Sequence, residues 1–224
     1  SKSTMKNKLI FAHIALIAGN LIFGLNYVIS KGIMPDYFKP HDIVLYRIFG
    51  ALLLFWLYSL FFKSEKIDKK DYFKVFLCGF FGVFVNQFMF FEGLNLTSPI
   101  DASIIQISNP VIVLLLAYVI TKESMSISKI SGIILAALGA LVIVIESATS
   151  SSKESSIAGN GLILINAASY AFYIVLSKPL VMKYQVHTLM KWFFLSGAVL
   201  VLPILLFTTN PVHYINYPSH VWYS

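Results

Sequence analysis

Long runs of apolar residues alternate with short segments that carry most of the lysines, from the start of the chain almost to its end. A run of about 20 apolar residues, wound as an α-helix, crosses a hydrocarbon core of about 30 Å. Because that core offers no water to unpaired backbone groups, each run is expected to be helical. The pattern predicts seven membrane-spanning helices, at 9–29, 43–62, 73–94, 104–120, 130–145, 162–180 and 189–207.

The first run follows Lys2, Lys6 and Lys8, as the hydrophobic region of a signal peptide would. It contains two asparagines, and it is longer than the roughly 7–15 residues of such a region. We interpret it as an uncleaved span.

The composition agrees with a membrane protein. Hydrophobic residues make up 58% and charged residues 12% of the chain, and the mean hydropathy is +0.78, whereas a soluble domain is about 25% charged. The formal net charge of +7 does not indicate nucleic-acid binding, because the lysines lie between apolar runs and not on a basic polar face. With Cys78 as the one cysteine, the sequence predicts no internal disulfide and no metal site, and we expect no cofactor.

The fourth run is unusual because polar residues and a proline interrupt it. Pro110 has no backbone N–H, so the carbonyl of Gln106 loses its helical partner at a depth where lipid offers none. Ser103, Gln106 and Asn109 are spaced by three and share one broad helical face. The pattern predicts either a discontinuous helix that lines a wet cavity, or an ordinary proline kink satisfied by a neighbouring helix.

The lysines are distributed unequally between the two sides of the predicted bundle. With the N-terminus in the cytoplasm, thirteen lysines fall in cytoplasmic segments and three in outer segments. An excess of lysine on one side marks the cytoplasmic face. We therefore expect a multi-pass protein with a cytoplasmic N-terminus.

Short similarities recur at an offset of 147 residues. Residues 27–31 resemble 174–178, Gly50-Ala51 matches Gly197-Ala198, and His41 corresponds to His187 after a one-residue gap. Five spans precede the second copy, so it begins on the opposite side of the membrane, as in the inverted repeats of secondary transporters. The predicted organisation is a cytoplasmic N-terminus (1–8), a first repeat of five helices (9–145), a serine-rich linker (146–160), the start of a second repeat with two helices (161–207) and an outer tail (208–224).

Several stretches resemble the EamA family of the drug/metabolite transporter superfamily. They are GNLIFGLNYVISKG, LYRIFGALLL, GNGLILINAASYAFYIVLSK and, above all, the long segment from GLNLTSPIDASIIQISNP to ISGIILAALGALVIV. The resemblance implies an all-α integral membrane protein of the prokaryotic cytoplasmic membrane, a bundle of inverted five-helix repeats around a central cavity. Ten helices are expected in full and seven are present here, so the chain departs from the pattern as a fragment or a truncated product would.

Candidate binding residues are the polar side chains inside the predicted spans, because such groups are costly in lipid and usually functional. Arg47 either holds a substrate carboxylate or phosphate with its planar fork, or reaches the outer surface or pairs with Asp42 or Glu92. Glu92 is either a proton-coupling carboxylate or an interfacial charge, and the amides either bind substrate or link helices. The predicted substrate-binding set is Asn26, Arg47, Asn86, Gln87, Gln106, Asn109, Asn166, Tyr170 and Tyr173.

Four further residues are predicted to be structural. Pro110 breaks the fourth helix, and Gly132, with Ala136 and Ala140, gives the small-residue spacing of close helix packing. The resemblance implies structural roles for Gly139 and for Glu123, which matches the family's glutamate at the end of the fourth span.

These observations predict a permease and not an enzyme, since the sequence has no nucleotide-binding glycine loop and no hydrolase or metalloprotease motif. The expected function is secondary-active transport of small organic metabolites, with amino acids or related compounds as the expected substrates, by alternating access. Its expected partners are the substrate, the lipid bilayer and a coupled proton or counter-substrate, with no nucleic acid. The alternative is a seven-helix membrane sensor or scaffold, for which an inverted repeat would serve no purpose.

Overall fold

A computed structural model describes residues 2–62, 64–122, 126–149 and 156–208, with side chains described for most of them. Its described part is helical, and its helices follow the apolar runs of the sequence. They are α1 (Lys2–Ile33), α2 (Pro40–Phe61), α3 (Lys69–Leu96), α4 (Pro99–Thr121), α5 (Ile127–Thr149), α6 (Ile157–Val181) and α7 (Val186–Thr208). Within the described residues, all but α5 are long and apolar enough to cross a bilayer. The predicted all-α membrane fold is confirmed.

Local sequence signals determine where α4 and α6 begin. Ser98 and Ser156 are extended at the N-cap, and their hydroxyls accept the backbone N–H of Asp101 at 3.0 Å and of Gly159 at 2.9 Å. These bonds satisfy donors that a helix start leaves unpaired. Ser156 also donates from its backbone N–H and its hydroxyl to the carbonyl of Leu96, at 3.0 and 2.9 Å. The end of α3 and the starts of α4 and α6 therefore meet at one end of the bundle, which we call the cavity end.

α3 is not a uniform α-helix. It opens with a 3₁₀ turn at Lys69–Asp71, continues as α-helix over Tyr72–Gly79, widens to a π-turn at Phe80–Val85 and returns to α-helix over Asn86–Leu96. The Ser169 hydroxyl of α6 donates to the carbonyl of Phe81 inside this turn at 2.6 Å. Since one π-turn adds a residue to the helix, it changes which face Asn86 presents.

α4 is interrupted where the sequence predicts it. Its α-helical segments are Pro99–Gln106 and Asn109–Thr121, and Pro110 lies in the first turn of the second. Between them Ile107 and Ser108 keep right-handed helical backbone angles and donate to the carbonyls three residues earlier, both at 3.0 Å. The predicted break is confirmed as a tightened turn of two residues, whose backbone stays in the right-handed helical region.

The last two helices, α6 and α7, pack onto the earlier ones. α6 lies against α3 and α4, and α7 lies against α2 and α3. Glycines allow the closest contacts: a Cβ on Gly159 would stand 2.7 Å from the backbone of Leu96, and one on Gly79 would stand 2.5 Å from the Ser196 Cβ. These contacts fix α3 against both α6 and α7.

Among the described residues, the two glycines of α5, Gly132 and Gly139, do not make such contacts. A Cβ at Gly132 or Gly139 would meet no described heavy atom within 4 Å. The packing role predicted for this face would need a surface beyond the described part of the chain. Glu123, predicted to cap or pair at the end of α4, lies outside the described residues.

Candidate functional site

Five helices line a cavity of about 220 Å³, smaller than the roughly 300–1,000 Å³ usual for drug-sized ligands. On α2, α3, α4 and α6 the arginine and the amide residues that line it stand seven to ten positions from the cavity end. At about 1.5 Å per residue, this places the cavity roughly 10–15 Å inside the bundle. Its lining is Asn20, Phe23 and Asn26 of α1, Arg47 of α2, Asn86, Gln87, Phe90 and Phe91 of α3, Gln106 and Asn109 of α4, and Asn166 and Tyr170 of α6.

Arg47 is oriented by neutral groups. Its Nε donates to Gln87 Oε1 at 3.0 Å and its Nη1 donates to Asn26 Oδ1 at 2.8 Å, while the guanidinium carbon lies 5.2 Å from the centre of the Phe91 ring. A guanidinium has five N–H donors, so these two bonds leave three. Neither Asp42 nor Glu92, the acidic partners that the sequence offered as an alternative, takes part in these two hydrogen bonds. The fork is held in place while most of its donors stay available to a ligand.

Four amide residues from three helices form a second, continuous network. Asn166 Nδ2 donates to the backbone carbonyl of Asn86 at 2.6 Å, and Asn86 Nδ2 reaches the carbonyl of Asn166 at 3.5 Å. Gln106 Nε2 donates to Asn166 Oδ1, and Asn109 Nδ2 donates to Gln106 Oε1. We call this series the amide relay. It ties both sides of the break in α4 to α6 and, through α6, to α3.

The formal charge of the cavity lining comes from one side chain. Arg47 is the single formally charged residue among the described residues that line it; the others are amides, aromatic side chains and a tyrosine. A lone guanidinium in a low-dielectric setting attracts a carboxylate or phosphate more strongly than it would in water. The cavity therefore suits a small ligand with one anionic group.

The structure brings together eight of the nine residues predicted to bind substrate. The exception is Tyr173, which packs under Gly82 and lies edge-on to Phe193 with ring centres 5.9 Å apart. It shares a face of α6 with Asn166, but seven residues further on it stands about 10 Å deeper. The predicted cavity position of Ser103 is also wrong, since that side chain is exposed and donates to the carbonyl of Ile100.

The aromatic part of the lining was not predicted from the sequence. Phe23, Phe90 and Phe91 stand three or four residues from Asn26 or Gln87 on their own helices. That spacing places them on the same helix faces, so the signal was present. It was hidden because phenylalanine is common throughout these spans. Glu92 is partly buried on α3 and is not among the residues that line the cavity.

The opposite end of the bundle holds a contrasting group of residues. The Lys183 ammonium donates to the carboxylates of Asp68 and, at 2.6 Å, of Asp71, and the Tyr184 hydroxyl donates to Asp71 at 2.7 Å. We call these four residues the ionic cluster. It joins the α2–α3 segment to the α6–α7 turn, and Gln185 strengthens the same joint by donating its backbone N–H to Glu65 at 2.8 Å.

Charge pairing changes the protonation of the ionic cluster. The hydrogen bond and the charge of Lys183 lower the pKa of the Asp68 carboxyl below its usual range. The hydrogen bonds to Asp68 and Asp71 raise the pKa of Lys183 above its usual value. Both groups therefore stay ionised over a wide range of pH.

The chain is similar to proteins that are named as transporters. The family model of the EamA-like transporter family matches residues 10–145. The protein named "Uncharacterized transporter YyaM" of Bacillus subtilis (strain 168) is 29% identical over 215 residues, which cover 94% of this chain and 70% of that protein. An "Uncharacterized transporter" of Archaeoglobus fulgidus is 31% identical over 143 residues, which cover 63% of this chain and 49% of that protein.

A third relative agrees with these. "Uncharacterized transporter YxxF" of Bacillus subtilis (strain 168) is 30% identical over 173 residues, which cover 75% of this chain and 53% of that protein. No solved structure shows significant similarity. The chain thus spans between about half and 70% of the length of these relatives.

Proposed function

The chain belongs to the EamA-like transporter family, and from that premise we propose that it carries small carboxylate-bearing metabolites, amino acids and related compounds among them, across a membrane by alternating access. It is a multi-pass integral membrane protein of the drug/metabolite transporter type. The proposed setting is the prokaryotic plasma membrane with a cytoplasmic N-terminus, which the lysine distribution supports.

One observation carries the proposed substrate class: Arg47, which lines the cavity, is held by two neutral acceptors and has no acidic partner in the described lining. A structural arginine in lipid would be paired with a carboxylate, since an unpaired charge there is costly. Neutral amides orient an arginine without compensating its charge, so the charge can attract an anionic ligand. A carboxylate matches its planar fork in two parallel hydrogen bonds.

The two ends of the bundle suit alternating access. The cavity lies nearer the cavity end, and the ionic cluster joins the two copies at the other end. Release of that cluster, with closure at the cavity end, would expose the site to the other side. The break in α4, placed beside the ligand, is the kind of element that adjusts in such a change. A gradient of substrate, proton or counter-substrate would drive the cycle.

Binding to the purified chain, measured by thermal shift, tests the proposal. Amino acids, other carboxylic acids, phosphates, nucleosides and cationic drugs form the panel. A ligand present at about 100 times its dissociation constant adds about 2.7 kcal/mol of stability, enough to detect. We expect carboxylates to give the shift, Arg47→Gln to abolish it and Ser59→Ala, on the same helix but outside the cavity lining, to keep it.

Transport in proteoliposomes gives the second readout. Uptake or exchange of the bound compound would support a carrier, whereas binding without flux would favour the sensor or scaffold. A carboxylate shift unchanged in Arg47→Gln would refute the proposed site. Strong binding of cationic drugs alone would refute the proposed substrate class.

A further inference from the structure

We infer that the hydrogen bonds of the amide relay all run in one fixed donor-to-acceptor direction, which we call its polarity. This polarity makes Asn109 Oδ1 a specificity-determining acceptor that requires an N–H donor on the ligand. This inference rests on the proposed function, because it concerns the group that a carboxylate ligand presents away from Arg47. It follows from the hydrogen-bond chemistry of four amides.

The polarity begins at a group that has only one possible role. A backbone carbonyl accepts and never donates, so the Asn166 amide must turn its Nδ2 toward the carbonyl of Asn86. The Oδ1 of Asn166 then faces Gln106, and it can only accept. Gln106 must therefore present its Nε2 to Asn166 and its Oε1 to Asn109. An amide is often ambiguous in which way it points, but here each one is oriented by the one before.

The last amide of the relay is left with an acceptor to offer. Asn109 uses its Nδ2 on Gln106, and its Oδ1 is buried without a hydrogen-bond partner among the described residues. Buried polar atoms nearly always have partners, so an exception at a candidate binding site calls for an explanation. Asn109 lines the cavity, so a ligand there is placed to supply the missing donor.

The backbone beside Asn109 also presents a hydrogen-bond acceptor. Pro110 has no N–H, so the carbonyl of Gln106 lacks its usual helical donor one turn earlier. α4 thus carries two acceptors without their usual donors, while α2 contributes the N–H groups of Arg47 to the cavity lining. A ligand that fits both sides carries an anionic group at one end and a hydrogen-bond donor at the other.

Three acids of one carbon skeleton separate these requirements. Leucine, 2-hydroxy-4-methylpentanoate and 2-oxo-4-methylpentanoate share the carboxylate and the isobutyl group but present an ammonium, a hydroxyl and a carbonyl oxygen. The carbonyl would face Asn109 Oδ1 with a second acceptor, which leaves both unpaired. We expect affinity at pH 7 to fall in that order, with at least a tenfold loss from leucine to the oxo acid.

Two variants test whether the relay sets this order. Asn109→Leu should bring the ratio of leucine to oxo-acid affinity close to one. Gln106→Met leaves Asn109 in place but frees its amide to turn, so the ratio should fall there too. Ser103→Ala, exposed on the same helix, is the matched control and should keep the wild-type ratio.

The outcomes separate this inference from the proposed function. If all three acids bind equally and Arg47→Gln abolishes binding, the carboxylate site stands and the donor requirement is refuted. If the ratio of leucine to oxo-acid affinity is high in the wild type and stays high in a folded Asn109→Leu variant, another residue recognises the amino group and the inference fails. If no acid binds, the proposed function and this inference fall together.

Discussion

The two polar regions of this molecule pair their hydrogen-bonding and charged groups in opposite ways. In the cavity, neutral amides from three helices satisfy one another around a single guanidinium. In the ionic cluster, full charges of opposite sign meet at a partly exposed site, where the Lys183 side chain is 40% exposed and that of Asp68 53%. Water stabilises the charges of the cluster, whereas a bilayer would penalise them.

The difference indicates what each region is suited to do. The hydrogen bonds of the amide relay leave one buried acceptor, Asn109 Oδ1, without a partner among the described residues, and Asn109 lines the cavity. The ionic cluster leaves no comparable atom, and its salt bridges connect two chain segments. One region is arranged to receive a ligand, and the other to hold the end of the bundle together.

The largest expected effect tests the helix contact on which both regions depend. Gly159→Ala would place a Cβ 2.7 Å from the backbone of Leu96 and push α6 from α3, which carry parts of both the cavity and the cluster. We expect a loss of about 1–3 kcal/mol in unfolding free energy, as for overpacking. SDS-induced unfolding measures it. Gly132→Ala, where the Cβ would meet no described atom within 4 Å, is the control and should be neutral or slightly stabilising.

The next effect concerns the cavity alone. Asn166→Ala removes the donor to the Asn86 carbonyl and the acceptor for Gln106, both in a buried setting. Interhelical hydrogen bonds in membrane proteins contribute about 0.6 kcal/mol on average, so we expect a loss of about 1–2 kcal/mol for the two. The same unfolding assay applies. Since no charged group is involved, the loss should not change between low and high salt, and a strong salt dependence would contradict our account.

A smaller effect is expected at the ionic cluster. Lys183→Met removes the shared ammonium and should lower the thermal midpoint less than Asn166→Ala does, because exposed ion pairs contribute little. In contrast to the cavity variant, its effect should shrink as salt is added. Lys66→Met, at an exposed lysine in the α2–α3 segment at the same end of the bundle, serves as the control. If Lys183→Met and Lys66→Met have equal effects, the cluster does not hold this end together.

The smallest effect is a dependence on pH. Because the folded pKa of Asp68 is lowered, its contribution is fully present above the unfolded value of about 3.9 and is lost as the pH falls through the folded value. Because the folded pKa of Lys183 is raised, its contribution is present below about 10.4 and is lost at higher pH. Thermal melts should therefore show a broad plateau between these limits. Lys183→Met should remove the acid-side part of this dependence at Asp68.

The cavity was more predictable from the sequence than the cluster. Lipid leaves few places for an intramembrane amide, so Asn86, Gln106 and Asn166 had to meet near one another. The cluster lies at the helix ends, where water accepts any polar residue and where composition carries no such constraint. Lys183 and Asp71 are far apart in sequence, and only the packing of α6 on α3 brings them together.

The sequence also could not reveal which side chains of each helix contact which neighbouring helix, or at what depth. The stripe of Asn166, Tyr170 and Tyr173 predicts the correct face of α6. It does not predict the depth of Tyr173 along the helix, where Gly82 of α3 covers the ring. The break at Pro110 follows from covalent structure and was predicted, whereas the π-turn at Phe80–Val85 has no comparable signal among its phenylalanines and valines.

That π-turn has a consequence for how such a protein tolerates change in length. A π-turn is equivalent to one residue inserted into a helix, so deleting one residue between 80 and 85 would restore regular α-geometry and leave the residues beyond it on their present faces. Deleting Met89 instead, in the regular α-helical segment, would rotate Phe90 and Phe91 by about 100° relative to Gln87. Phe91 would then leave Arg47, although the hydropathy of the span would hardly change. A single-codon deletion is therefore expected to be tolerated in the π-turn and to disturb the cavity one turn later, a difference that a hydropathy profile would miss.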